Sequence, residues 1–158
     1  MKLAEALIER ADLKARIVQI VSRMKENALI QEGDAPVEDV AGLGHMYESM
    51  MGELEGLILR INKTNVETPL AGEAAEAAGG LNLAGAITKR DCLKAKIATY
   101  RAVKEASLTK RDRYSNSEIR YVRTTDIPKL QRMMDDCSRQ YRELDTRIQQ
   151  RNWSADLL

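Results

Sequence analysis

His45 is the single histidine of the chain, and it stands three residues before Glu48, on the same helical face. A carboxylate-bridged pair of metals in a helical bundle takes Glu-x-x-His from two helices plus further glutamates. Here the order is reversed and no second histidine exists. A surface histidine is the better reading, and no metal or other cofactor is expected. Met46, Met50, Met51, Met133 and Met134 are soft donors of the kind copper(I) takes. Met50 and Met134 fall on apolar stripes, so core filling is the expectation for them. Cys92 and Cys137 have neither a histidine nor a second cysteine beside them. Cys137 sits between Met134 and Tyr141 on a stripe where a buried thiol is inert. With one histidine, a hydrolase triad has only His45 to build on. Gly42-Leu43-Gly44 lacks the strand–turn–helix setting of a phosphate loop. No catalytic residue is assigned, and the chain is read as a non-enzyme.

The charge map says more than any motif. Residues 31–79 hold ten acids and two bases, 2 − 10 = −8, whereas residues 108–132 hold seven bases and three acids, 7 − 3 = +4. The whole chain carries only +1, which gives no overall bias toward nucleic acid or an anionic membrane. The candidate interaction surface is therefore the basic segment, with Arg113, Tyr114, Ile119, Arg120, Tyr121, Val122 and Arg123. Arginines there offset phosphate and tyrosines stack on bases, which suits RNA or DNA. The same segment suits a small anion, or the acidic surface of a second copy. A homo-oligomer is the reading preferred, with Tyr114, Ile119, Tyr121 or Val122 partly covered by the partner; nucleic acid is the alternative.

The elements that position these residues are helical. The chain has 158 residues, 31% of them charged, 4% aromatic, with three prolines and no phenylalanine. Its high Ala, Glu, Lys, Leu and Arg content favours helices, and its length suits one domain, 1–158. The longest uncharged stretch, Ala77 to Thr88, has 12 residues, against about 20 apolar residues for a membrane span. No membrane contact is expected. Glu5 and Glu9 fall where an export signal needs an apolar run. Together with two isolated cysteines this points to the cytoplasm.

An internal repeat divides the chain into 1–80 and 81–158. Leu3 to Ile17 aligns with Leu83 to Ile97 at an offset of 80, with eight of 15 positions identical. Leu57, Arg60, Ile61, Asn65 and Leu70 align with Leu144, Arg147, Ile148, Asn152 and Leu157 at an offset of 87. Each half reads as two helices. Leu3, Leu7, Ile17, Val21 and Met24, widened by Leu13 and Ile20, mark the first, ending near Ala28 to Gln31. The second is expected from Pro36, with Glu38 and Asp39 at its positive end. Its stripe is Val40, Leu43, Tyr47, Met50, Leu54, Leu57 and Ile61, at coiled-coil spacing. Thr68 to Gly80 connects the halves. Helix three is placed at Leu83 to Ser107. Helix four starts at Pro128, capped by Asp126 or Thr125, with Leu130, Met134, Cys137, Tyr141, Leu144 and Ile148 inward. The insertion at about 109–125 has strand composition at Ile119 to Thr124 and a turn at Ser115 to Ser117, so a small β-hairpin is expected there.

Arg10 and Arg90 occupy equivalent seam positions in the two halves. At least one of them is expected to be mostly buried and paired with an acid of a neighbouring helix, setting the register between the hairpins, with Glu55 and Asp145 the candidate acids. The alternative is two arginines that lay their stems on the core and send their guanidinium groups to the rim.

Asp112-Arg113-Tyr114-Ser115-Asn116-Ser117-Glu118-Ile119-Arg120-Tyr121-Val122-Arg123, the tail Leu144 to Gln149 with Asn152-Trp153, and Ile30-Gln31-Glu32-Gly33-Asp34 together resemble a family of small bacterial proteins, some labelled septicolysin. The resemblance covers nearly the whole chain. It implies a helical bacterial protein, brings no catalytic residues, and through its label implies a pore-forming cytolysin. The expectation as a whole is an all-α fold. Two duplicated helical hairpins form an antiparallel four-helix bundle or coiled coil, with a β-hairpin between helices three and four. Its function is that of a self-associating, non-enzymatic interaction or scaffold protein.

Overall fold

The computed structural model describes residues 1–70, 80–108 and 122–158. Four α-helices account for most of them: α1 Leu3–Asn27, α2 Val40–Glu67, α3 Leu83–Leu108 and α4 Ile127–Ser154. Among the described residues there is no strand, only the isolated bridges Lys2–Asp156 and Pro69–Asn82. The fold is all-α. The expected β-hairpin falls mainly on 109–121, outside the described residues, and Val122 to Thr124 are irregular. Most of the connector between the halves, 71–79, also lies outside them.

The chain forms two compact units, Met1–Ala84 with Gln149–Leu158, and Gly85–Ile148. In the first, α1 and α2 form a hairpin. Leu13 and Ile17 of α1 pack with Leu54 of α2, and Tyr47, Met50 and Ile58 lie against that cluster. The 3-4 spacing of these residues puts them on facing stripes, and each buried aliphatic side chain contributes about 1.5–3 kcal/mol. Leu43, Leu57 and Ile61 continue the α2 face. Leu7, Val21 and Met24, expected on the α1 stripe, are only half-buried, and Ala4 and Ala6 are buried beside Leu3 instead.

The second helix begins four residues later than Pro36 suggests. Asp39 is its cap, accepting from the Ala41 N–H (3.1 Å) and the Gly42 N–H (2.9 Å), as a capping carboxylate does. Glu38 is drawn away from the helix by Arg23, so it cannot serve the first turn.

The open end of this hairpin is closed crosswise. The Leu3 N–H donates to the Ala155 carbonyl (3.0 Å), and the Leu83 N–H donates to the Thr68 carbonyl (2.9 Å). The Leu157 N–H donates to the Met1 carbonyl (3.0 Å), and the Leu70 N–H to the Leu81 carbonyl (2.9 Å). The offsets of 80 and 87 read from the sequence convert the first bond of each pair into the second. The start of each repeat is thus bonded to the end of the other, all inside the first unit. Leu3 and Leu83, at the two equivalent starts, are both 0% exposed. The buried Thr64 hydroxyl donates to the Arg60 carbonyl (2.9 Å) and accepts from the Leu158 N–H (3.0 Å). Its equivalent Arg151 reaches the Pro69 carbonyl from Nε (2.9 Å). Asn152 is also buried there, and its Oδ1 has no partner among the described residues.

In the second unit α3 and α4 run antiparallel. Arg90 near the start of α3 meets Asp145 late in α4, and Lys104 Nζ near the end of α3 donates to Gln131 early in α4 (2.6 Å). Asp126 caps α4 by accepting from the Lys129 N–H (2.9 Å). Leu93, Leu144 and Ile148 are buried, while Leu130, Met134, Cys137 and Tyr141 are half-buried.

Candidate functional site

The residues put forward from the sequence separate into three groups. Arg113, Tyr114, Ile119, Arg120 and Tyr121 lie outside the described residues. Val122 is 76% exposed, and Arg123 is exposed, with Nε donating to the Ser107 carbonyl (3.3 Å). The seam arginines differ from one another. Arg90 pairs with Asp91 (2.9 Å) and with Asp145 across the helices (3.3 Å), its side chain 24% exposed. Burial disfavours its charge, but the hydrogen bonds and charges of Asp91 and Asp145 outweigh that and hold its pKa above the ordinary value. Arg10 is half-buried without an ion pair among the described residues, and Glu55 is exposed on α2.

His45 is exposed, as is Cys92, and Cys137 is half-buried rather than sealed in the seam. Among the described residues no three His, Cys, Asp or Glu side chains converge as a metal site would require. Met46, Met51 and Met133 are 45%, 37% and 37% exposed, so core filling accounts only for the half-buried Met50 and Met134.

The most developed surface feature is one that sequence reasoning missed, the turn joining α1 to α2. Arg23 near the end of α1 donates to both carboxylate oxygens of Glu38, from Nε (2.8 Å) and from Nη2. This pairing holds the Glu38 carboxyl below its ordinary pKa and the Arg23 guanidinium above its own, in each case through the hydrogen bond first. Asn27 Nδ2 donates to the Arg23 carbonyl (2.9 Å), and its Oδ1 accepts from the Glu38 N–H (3.0 Å). Gly33 takes φ +96°, a left-handed value that side chains disfavour, and the Asp34 N–H donates to the Gln31 carbonyl (3.1 Å). With Asp39 capping α2, the loop 28–39 is tied at both ends.

On this tied loop the apolar side chains point outward. Leu29 is 90% exposed and Val37 93%. At the ends of the loop, Val21, Met24, Ala28, Val40 and Tyr47, with Lys25, line an open apolar groove of about 270 Å³. The loop also carries Glu32, Asp34, Glu38 and Asp39 and no base. Apolar residues inside an acid-rich turn were the available sequence signal. They follow no helical period, so stripe counting passes over them.

Over residues 10–157 the chain matches a family of unknown function (DUF6847). A crystal structure of a functionally unknown conserved protein from Corynebacterium diphtheriae is similar to it throughout. That protein is 34% identical, with a TM-score of 0.87, over 100% of this chain and 99% of that one. No curated protein matches. The septicolysin label attaches to neither match, which corrects the resemblance drawn from the sequence and removes the cytolysin reading that rested on it. Among the described residues no helix is long and apolar enough to cross a membrane.

Proposed function

We propose that this chain, which belongs to that family of unknown function, is a non-enzymatic helical interaction protein that associates with copies of itself. The observation that carries the reading is the exposure of large aliphatic side chains on a tied surface. Leu29 and Val37 stand almost wholly in solvent on a loop held by side-chain hydrogen bonds. Exposed apolar groups rimmed by charge are what association surfaces present. The opposed charges of 31–79 and 108–132 support a partner of the same sequence, since each copy supplies both signs.

Light scattering coupled to size exclusion, on the full chain over a range of concentrations, tests this. The expected mass rises with concentration toward a dimer or larger oligomer. A monomer mass throughout refutes the proposal. Tight, salt-dependent binding of RNA or DNA by a monomer would favour the nucleic-acid reading of the basic segment.

A further inference from the structure

We infer that the α1–α2 turn, loop 28–39, is the docking surface for the basic segment 108–132 of a second copy of this chain. The inference rests on the self-association reading above and assigns its two faces. Loop 28–39 carries four acids and no base, and segment 108–132 carries a net +4. Of the four acids, Glu38 is engaged by Arg23 and Asp39 caps α2. Glu32 and Asp34 are exposed, and neither has an ion pair among the described residues. They are the charges available to a partner.

The apolar parts match as well. The groove lined by Val21, Met24, Ala28, Val40 and Tyr47, with Lys25 its one charged residue, meets both ends of the loop that carries Leu29 and Val37. The second face supplies Ile119, Tyr121 and Val122 between arginines. Val122 is 76% and Leu108 50% exposed. An apolar centre with charge of opposite sign at its rim is the composition of a specific interface. Ties at both ends of the loop mean that little of its freedom remains to be lost on docking.

The two faces occupy equivalent places in the repeat, each joining the first helix of its half to the second. Duplication therefore yields opposite charges at the same place in two copies of one unit. Such a contact joins unlike surfaces. It closes on itself when two copies exchange both contacts about a twofold axis, and otherwise it propagates.

Sedimentation velocity on the full chain, across concentration and at low and high salt, reads this directly. The expected wild-type association weakens as salt rises. Leu29→Glu with Val37→Glu, and Glu32→Lys with Asp34→Lys, should each weaken it about tenfold or more, with far-UV circular dichroism unchanged. Arg120→Glu with Arg123→Glu should do the same, and mixing that variant with Glu32→Lys/Asp34→Lys chains should restore association between the two. Association indifferent to all these changes would overturn the inference and leave self-association standing. A monomer under every condition would remove both. Tight binding of an oligouridine, lost in Arg120→Glu/Arg123→Glu while association is unchanged, would assign the segment to nucleic acid and overturn the inference.

Discussion

Replacing Leu3 or Leu83 by alanine probes the crosswise closure at its two equivalent points. Both side chains are 0% exposed and both belong to the first unit. Alanine keeps the backbone bonds from their amides to Ala155 and Thr68, so each substitution removes packing alone. Emptying a buried leucine site costs about 2–5 kcal/mol, the spread reflecting how far the surroundings collapse. At about 3 kcal/mol the thermal midpoint should fall by roughly 6–12 °C, from roughly 2–4 °C per kcal/mol in chains of this size. Urea unfolding followed by circular dichroism gives the free energies, with an unchanged slope showing that the unfolded state is unaltered. Leu59→Ala, at a site 62% exposed and away from the proposed docking surface, is the control and should stay within about 0.5 kcal/mol of wild type. A loss below about 1 kcal/mol for either buried leucine, well under the range for such sites, would refute the reasoning.

Three further expectations concern the helices and their ion pairs. Gly52→Ala and Gly56→Ala should each stabilise by about 0.5–1 kcal/mol in urea titrations, because a Cβ at either position meets nothing within 4 Å. Gly42→Ala should gain less, since its Cβ would come within 3.1 Å of the capping Asp39 carboxylate. The folded pKa values of Glu38 and Asp156 lie below their ordinary ones, chiefly through hydrogen bonds from Arg23 and Lys2. Their contribution is therefore present above the ordinary carboxylate range and lost as pH falls through the depressed folded values. Glu38→Gln with Asp156→Asn should flatten that acid limb of the stability curve, and an unaltered limb would contradict the assignment. Arg90→Met should cost roughly 1 kcal/mol more than Arg10→Met, since only Arg90 has two carboxylates within ion-pair distance among the described residues; equal thermal midpoints would argue against this.

Helical periodicity carried the reading where side chains face a neighbouring helix. Leu13, Leu54, Leu57, Leu144 and Ile148 lie on stripes that spacing turns inward, and they are buried. Periodicity failed at the turn after α1. Pro36 has the geometry for a first helical residue, but Glu38 is held by Arg23 and Asn27. Those partners lie 15 and 11 residues away, beyond the reach of a local pattern. The same turn hid Leu29 and Val37, which belong to no stripe. Arg10 and Arg90 hold equivalent places in the repeat, but Ala11 and Ile58 stand where the second half has Asp91 and Asp145, so among the described residues only Arg90 of the two acquires a cross-helix carboxylate. The repeat offsets were readable, but which end bonds to which was not, because backbone donors and acceptors leave no mark on side-chain identity. Positions 64 and 151 show how far the copies have diverged while keeping a role. A hydroxyl at one and a guanidinium at the other both secure a backbone group at the shared end.

The crosswise bonds also impose an order on folding. Hairpin contacts such as those of Leu13 and Ile17 with Leu54 join segments close in sequence and can form early. The amide of Leu3, by contrast, waits for Ala155, and Met1 waits for Leu157. During synthesis that end of the first hairpin stays unsealed until residues 155–157 have been made, however well its helices have already paired. Closure is then a late event joining residues far apart in sequence, Leu3 with Ala155 and Met1 with Leu157. Pulse-labelled hydrogen exchange during refolding should find the Leu3 and Leu157 amides protected after those within α1 and α2, and early protection of that pair would show that the ends meet first.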